Sequence, residues 1–166
     1  MRTATPATRN LINQYLKYPE NSAGSIMTAE FVDLKKYMSV REAFARIRKI
    51  GEDKETIYVC YVTSAKRKLE GVVTVKDLLL SDDEAVIEDI MDTNVIYAST
   101  TDDQEEVSEM ISNYDLIAIP VVDKEGCLVG IVTVDDIIDV MEQETTEDIE
   151  KMAAILPSEK TYLKTG

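Results

Sequence analysis

A nine-residue motif that occurs twice constrains the fold of this chain more than any other feature of its sequence. Residues 71–79 read Gly-Val-Val-Thr-Val-Lys-Asp-Leu-Leu, and residues 130–138 read Gly-Ile-Val-Thr-Val-Asp-Asp-Ile-Ile. Each copy predicts a short β-branched strand that turns into a helix after its threonine. The pair Ile26 and Met27 likewise returns as Ile90 and Met91. A chain with such a repeat is expected to fold as two copies of one unit.

The same order of elements is predicted in both repeats. The first has a strand near Phe31–Leu34, a capping box at Ser39, a helix that ends near Gly51, strands over Ile57–Thr63 and Leu69–Thr74, and a helix over Val75–Leu80. The second has a short helix over Ala85–Ile90, a capping box at Thr101, a helix that ends near Tyr114, strands over Ile117–Val122 and Leu128–Thr133, and a hairpin turn at Asp123–Gly126. Each β-α-β-β-α unit, of roughly 55–60 residues, is small for a stable domain. The two sheets are therefore expected to pack together as one α+β module.

The helix that follows the second motif carries a dense run of carboxylates. Val134, Ile137, Ile138 and Met141 have the spacing of one buried face, whereas the acids share a different arc: Asp135, Asp136, Asp139 and Glu142. Glu144, Glu147 and Asp148 follow, and no Lys or Arg occurs between residues 124 and 151. Like charges at i, i+4 repel by a few tenths of a kcal/mol per pair. Two interpretations remain open: a solvated acidic face, or a carboxylate cluster that needs a cation.

The charge balance narrows the classes of function. The chain has 18 Lys plus Arg against 32 Asp plus Glu, a net charge of −14, which argues against nucleic acid as a partner. It has no His, so a metal site would use oxygen ligands and hard ions such as Mg²⁺, Ca²⁺ or Mn²⁺. The missing His also removes the commonest general base, which leaves a carboxylate–metal hydrolase as a minor alternative to a non-enzymatic module.

Two further features concern the compartment. Cys60 lies in an apolar run and is expected in the core, and Cys127 lies at a predicted turn. Two separated cysteines in an acidic chain indicate a reducing compartment. No segment approaches the roughly 18–20 apolar residues that span a bilayer, so this polypeptide is expected to be soluble.

The two motifs resemble those of a tandem CBS-domain pair. The residues that carry the resemblance are the Gly-hydrophobic-hydrophobic-Thr-x-x-Asp positions and the Ile-Met pairs: Gly71, Thr74, Asp77, Gly130, Thr133, Asp136, Ile26, Met27, Ile90 and Met91. The flanking segments are similar to those of MgtE-type magnesium transporters: residues 18–28, 55–58, 101–107, 113–115, 145–149 and 160–165. The resemblance implies a regulatory fragment, not an enzyme, at the cytoplasmic face of the membrane in the full-length protein.

The resemblance also implies a domain division. Residues 1–21 would be a disordered start and the remnant helix of a preceding cytosolic domain, with the helix over residues 10–17. CBS repeat 1 would cover residues 22–84 and CBS repeat 2 residues 85–141. Residues 142–166 would extend a long C-terminal helix, beginning near Val134, towards a membrane pore domain that is absent here. The expected partners are these two domains of the same protein and a second copy of the chain, because Ile149, Met152 and Ile155 lie at helical spacing and need a partner.

Magnesium is the ligand that the resemblance implies first. In the family, Mg²⁺ binds cytosolic acids, neutralises them and draws the dimer into a closed form that shuts the pore. The matching positions here are Glu105, Asp115, Asp136, Asp139, Glu144, Glu147 and Asp148, with Asp103 as a weaker match. The charge pattern leads to the same acidic helix.

An adenine nucleotide such as ATP is the second implied ligand and the basis of the alternative function, a nucleotide-sensing CBS module without metal sensing. The matching positions are Val59, Thr74, Lys76, Asp77, Leu116, Pro120 and Thr133. Val59 and Leu116 stand where an aromatic residue would stack on adenine, which is a departure from the family pattern.

Overall fold

A computed structural model describes residues 18–140 and 142 of the chain. In this part of the chain, six α-helices and six β-strands follow one another. In chain order they are α1 (Ala23–Ile26), β1 (Phe31–Leu34), α2 (Val40–Ile50), β2 (Thr56–Thr63), β3 (Leu69–Thr74), α3 (Val75–Leu80), α4 (Ile87–Ile90), β4 (Ala98–Ser99), α5 (Gln104–Asn113), β5 (Ala118–Val122), β6 (Leu128–Thr133) and α6, of which residues 134–140 are described; a 3₁₀ turn over Gly51–Asp53 follows α2. This order confirms the predicted mixed α+β architecture.

The first repeat forms a three-stranded sheet in the order β1-β2-β3, with β1 parallel and β3 antiparallel to β2. Its long helix begins at the predicted capping box, in which the Ser39 and Glu42 side chains each bond to the other residue's backbone N–H. Val40, Ala43 and Ile47 form the buried stripe of α2 and pack against the sheet. Capping and apolar spacing together explain why this segment is a helix.

The second repeat has the same topology, with the sheet order β4-β5-β6. The capping box predicted at Thr101 is wrong, because α5 begins at Gln104 and Asp103 is its N-cap, accepting from the Glu105 backbone N–H. The neighbouring Asp102 carboxylate instead accepts from the Ser99 backbone N–H at 2.9 Å. Residues 99–102 therefore close the turn before the helix can start.

The short helix in front of each sheet crosses to the other repeat. Ala23, Ile26 and Met27 of the α1 segment lie in the core of repeat 2, and Ile87 of α4 lies in the core of repeat 1. Backbone hydrogen bonds fix both crossings: residue 28 exchanges two bonds with Ile131, each 2.8 Å, and residue 92 exchanges two with Val72, at 2.9 and 3.0 Å. The two repeats are therefore interlocked as well as stacked.

The motif glycines lie under these crossings. A Cβ atom at Gly130 would come within 2.7 Å of the Met27 Sδ atom and 2.9 Å of the backbone oxygen of residue 28. At Gly71 it would come within 2.8 Å of the Met91 Sδ atom and 3.2 Å of the backbone oxygen of residue 92. Hydrogen is thus the side chain that permits the close approach. The two features that recur in both repeats, the Ile-Met pair and the motif glycine, therefore contact each other between the repeats.

The two sheets pack face to face, as predicted. Their shared apolar cluster combines Tyr61 of β2 with Ala118, Leu128 and Ile131 of the second sheet. Tyr61 meets Phe31 edge to face, with ring centroids 6.1 Å apart, and its burial raises the pKa of the phenol.

Some sequence predictions fall outside the described residues. These are the disordered start, the helix over residues 10–17, and most of the long C-terminal helix. Residues 134–140 are helical, in agreement with its predicted beginning. Within the described residues, no helix has the length and apolar character needed to cross a membrane.

Candidate functional site

The beginning of α6 holds the central candidate carboxylate. Thr133 is the last residue of β6, and its Oγ1 atom accepts a hydrogen bond from the Asp136 backbone N–H at 3.4 Å. Thr133 and Asp136 are both buried, with 5% and 6% of their surfaces exposed, whereas Asp135 and Asp139 are exposed. The acids of this helix therefore do not form one uniformly solvated face.

A second acid lies beside this helix start. The Val134 backbone N–H donates to the Ile117 carbonyl at 2.8 Å, which places the turn before β5 next to the start of α6. Asp115 lies in that turn, exposed and with φ of 50°. The fold thus brings the turn that holds Asp115 next to the first turn of α6, which holds Asp136, although 21 positions separate the two residues in the sequence.

The remaining candidate metal ligands are distributed differently. Glu105 and Asp103 lie at the beginning of α5, exposed, and Asp115 follows its end. At about 1.5 Å per residue, the helix from Glu105 to its end at Asn113 is roughly 12 Å long, so Glu105 and Asp115 lie at opposite ends of α5 and are not expected to share one ion within a single chain. Glu144, Glu147 and Asp148 lie outside the described residues.

The first motif supplies an accessible counterpart to Thr133 and Asp136. The Asp77 Oδ2 atom accepts from the Thr74 backbone N–H at 3.2 Å, and the Thr74 Oγ1 atom accepts from the Asp77 backbone N–H at 3.1 Å. Asp77 and Lys76 are exposed, and Val59 is paired with Thr74 across the β2–β3 ladder. Four of the nucleotide candidates therefore lie together at the beginning of α3.

The other nucleotide candidates are in less accessible positions. Pro120 is buried within β5, opposite Ile131, and Thr133 is buried as described above. Leu116 packs against the core of repeat 2. Val59 packs against the apolar cluster between the two sheets, which also contains Ala118, the first residue of β5. Leu116 lies two positions before Ala118, so the start of β5 faces the side of repeat 1 that holds Val59.

The sequence did not indicate two clefts between the repeats. One, of about 400 Å³, is lined by Leu69, Glu70, Thr93, Val95, Tyr97, Ser99, Val122, Asp123, Lys124 and Gly126. The other, of about 160 Å³, is lined by Ala29, Phe31, Asp33, Lys54, Thr63, Arg67 and Leu128. They occupy equivalent positions in the repeat, and none of the predicted nucleotide residues lines either. Only the internal repeat could have suggested them, since they arise where the sheets meet.

The structure brings together one further group of possible metal ligands, at a place where the sequence predicted only a hairpin turn. The side-chain ligand atoms of Asp123, Glu125 and Cys127 lie within 4.8 Å of one another. The Asp123 Oδ1 atom accepts from the backbone N–H groups of Glu125 and Cys127, at 2.9 and 3.0 Å. These two hydrogen bonds are typical of an aspartate that stabilises a turn.

Comparisons with known proteins match this arrangement. The family described as "CBS domain" matches residues 23–83 and 87–143. The chain is 42% identical over 161 residues to the magnesium transporter MgtE of Thermus thermophilus, covering 97% of this chain and 36% of that protein. It is 44% identical over 139 residues to MgtE of Bacillus subtilis, covering 84% of this chain and 31% of that protein. The chain therefore spans about a third of the length of these curated relatives.

A solved structure agrees with the sequence comparison. The cytosolic domain of the Mg²⁺ channel MgtE in complex with ATP superposes with a TM-score of 0.75 at 43% identity, covering 82% of this chain and 55% of that one. Since the family match extends over both repeats, the chain belongs to the CBS-domain family as a tandem pair, with high-identity relatives among the MgtE magnesium transporters.

Proposed function

We propose that this chain is the cytosolic regulatory region of a magnesium transporter, and that its acidic residues bind Mg²⁺ and thereby control the pore. The observation that carries the proposal is the 42% identity with a magnesium transporter over 97% of the chain. The relatives extend well beyond the matched region, so the preceding cytosolic domain, the membrane pore and the position at the cytoplasmic face of the membrane are part of the proposal.

The carboxylates beside α6 supply the physical basis. Two carboxylates about 4 Å apart repel by about 4 kcal/mol at an effective dielectric constant near 20. A divalent cation between them reverses the sign of that interaction. Asp115, Asp136 and Asp139 supply oxygens from two segments that the fold brings together, and Glu144, Glu147 and Asp148 extend the same charge along the chain. Mg²⁺ keeps most of its water and needs only one or two carboxylates, so weak binding at several sites is expected.

In a dimer, this local neutralisation of carboxylate charge would be converted into closure of the two protomers. Leu79 and Leu80 of α3 are 67% and 77% exposed, and Ile138, at the position of Leu79 in the second motif, is 48% exposed. Apolar side chains at equivalent positions of both repeats support a surface that a second copy of the chain covers. Mg²⁺ would favour the closed dimer by removing repulsion between acids, and no catalytic step is involved.

Calorimetry with a matched pair of double variants tests the proposal. Asp136→Asn with Asp139→Asn removes two carboxylates of the candidate site, whereas Asp82→Asn with Asp89→Asn removes two exposed acids elsewhere. Both pairs change the net charge equally. We expect saturable Mg²⁺ binding heat in the wild type and the second pair, and its loss in the first pair. Equal heats in all three proteins would contradict the proposed site.

Adenine-nucleotide binding is a second candidate function. It is supported by the ATP complex of a relative with 43% identity and by the exposed Lys76 and Asp77 at the beginning of α3. ATP added without Mg²⁺ should then raise the melting temperature of the wild type, and Lys76→Ala should reduce that increase while Lys49→Ala, on α2, does not. A Mg²⁺ response without any ATP response would favour the first function alone.

A further inference from the structure

The smaller cleft between the repeats, of about 160 Å³, has a positive lining in a protein of net charge −14. Lys54 and Arg67 both line it, and Thr63 adds a hydroxyl group. Among the described residues, neither cation takes part in an ion pair. A local excess of positive charge in an acidic protein is a site that attracts an anion.

The one acid in this cleft is already neutralised. The Asp33 Oδ1 atom lies 2.6 Å from an Arg46 guanidinium nitrogen, and the Arg46 Nε atom donates to the Asp33 carbonyl at 2.6 Å. The Lys35 Nζ atom lies 4.0 Å from the other carboxylate oxygen and donates to the Thr63 Oγ1 atom at 2.8 Å. Two cations therefore surround the single carboxylate, and the charges of Lys54 and Arg67 remain for a ligand.

The larger cleft provides an internal comparison. At the position of Arg67 it has Gly126, and at the position of Asp33 it has Tyr97. Arg67 and Gly126 both have a left-handed backbone, with φ of 68° and 83°. Such a conformation favours glycine and is uncommon for a residue with a side chain. The fold thus accommodates glycine at this turn position, yet the first repeat has an arginine there that lines the cleft.

We propose that the cleft lined by Lys54, Thr63 and Arg67 binds a phosphate group, as free phosphate or as a small soluble phosphate ester. The planar fork of an arginine matches the oxygens of phosphate, and a lysine adds a point charge. The volume corresponds to about five water molecules, enough for one such group and its water. The site is separate from Thr74 and Asp77 and does not depend on the magnesium response.

Titration with inorganic phosphate, followed by the backbone amide signals of the ¹⁵N-labelled protein, tests the proposal. Sodium chloride at equal ionic strength is the reference. We expect saturable shifts centred on Thr63 and Arg67, with half-saturation in the millimolar range. Arg67→Gly should weaken binding at least tenfold, and because glycine suits this backbone, the variant should melt no lower than the wild type.

Two further variants separate this site from general electrostatics. Lys54→Ala should weaken phosphate binding several-fold, whereas Lys49→Ala, which removes an exposed cation of α2 outside the cleft, should leave it unchanged. Shifts no larger than those in sodium chloride, or an Arg67→Gly variant that binds phosphate like the wild type, would overturn the proposal. Binding to phosphatidic acid vesicles without binding to free phosphate would overturn the assignment to a soluble ligand.

Discussion

Replacing Gly130 by alanine should destabilise the chain through the interlock between the repeats. The added methyl group would lie 2.7 Å from the Met27 Sδ atom, which is flexible, and 2.9 Å from the backbone oxygen of residue 28. That oxygen accepts a 2.8 Å hydrogen bond from the Ile131 backbone N–H, and the backbone N–H of residue 28 donates a second 2.8 Å bond to the Ile131 carbonyl, so the backbone is fixed here. Such overpacking costs about 1–3 kcal/mol, and the clash with backbone places this variant near the upper end. Because alanine lowers the conformational entropy of the unfolded chain relative to glycine, about 0.5 kcal/mol of that cost is offset.

The net loss of about 2 kcal/mol corresponds to a melting temperature about 4–8 °C lower in a chain of this size, measured by circular dichroism. Gly71→Ala should cost less, because the corresponding backbone oxygen is 3.2 Å away. Adding Met27→Ala to Gly130→Ala should not restore stability, since the backbone clash remains. Gly126→Asn is the control: the position is open, with a nearest contact of 3.9 Å, and asparagine tolerates its positive φ. Melting of Gly130→Ala within 1 °C of the wild type (roughly 0.3 kcal/mol) would refute the reasoning.

Four other predictions concern stability and thiol chemistry. Arg46→Ala should lower the unfolding free energy in urea by about 1–2 kcal/mol, because it removes a partly exposed charge-assisted contact with Asp33, and an unchanged transition midpoint would contradict this. Burial raises the pKa of the Cys60 thiol to about 12, so in native protein at pH 8 a thiol reagent should modify Cys127 much faster than Cys60, whereas equal rates would contradict the buried position. The same increase in the pKa of Cys60 should make the folded protein less stable as the pH rises above about 9, the pKa of an ordinary thiol. The reason is that the unfolded chain then loses a proton that the folded chain keeps. The unfolding free energy measured between pH 8 and 10.5 tests this effect. Thr74→Ala should cost about 1 kcal/mol through loss of the capping box, whereas Thr74→Ser should cost little, and equal losses for both variants would argue against the cap.

Local patterns in the sequence were sufficient to predict most of the elements. The capping box at Ser39 and the alternation of strand and turn residues around the two motifs each depend on neighbours along the chain. The α5 start was misplaced because Thr101 and Asp103 are both good caps, and the contact of Asp102 with Ser99 decided between them. A tertiary contact of this kind leaves no periodic signal.

Contacts between the repeats could not be predicted in the same way. The Ile-Met pairs and the motif glycines were recognised as repeated, yet nothing in the sequence indicated that Met27 covers Gly130 and Met91 covers Gly71. The candidate site shows the same limit. Helical periodicity placed Asp136 on one arc with Asp139, whereas packing against the core buries Asp136 and leaves Asp139 exposed.

The interlock also bears on how a ligand at one repeat could affect the other. The α1 segment belongs to the core of repeat 2 and hydrogen-bonds to β6, which leads directly into α6. The start of α6 is therefore connected, through Ile131 of β6, to the segment that precedes the first sheet. This provides a packed route between the acidic helix and the residues in front of the first sheet.

The most direct test of the magnesium proposal is small-angle X-ray scattering of the purified chain during a Mg²⁺ titration, with sodium chloride of equal ionic strength as reference. The proposal predicts a dimer whose radius of gyration decreases saturably with Mg²⁺, and it predicts that Asp136→Asn with Asp139→Asn abolishes this decrease. A scattering profile that stays the same in Mg²⁺ and in sodium chloride would show that the carboxylates are a solvated surface and would contradict the proposed control by magnesium.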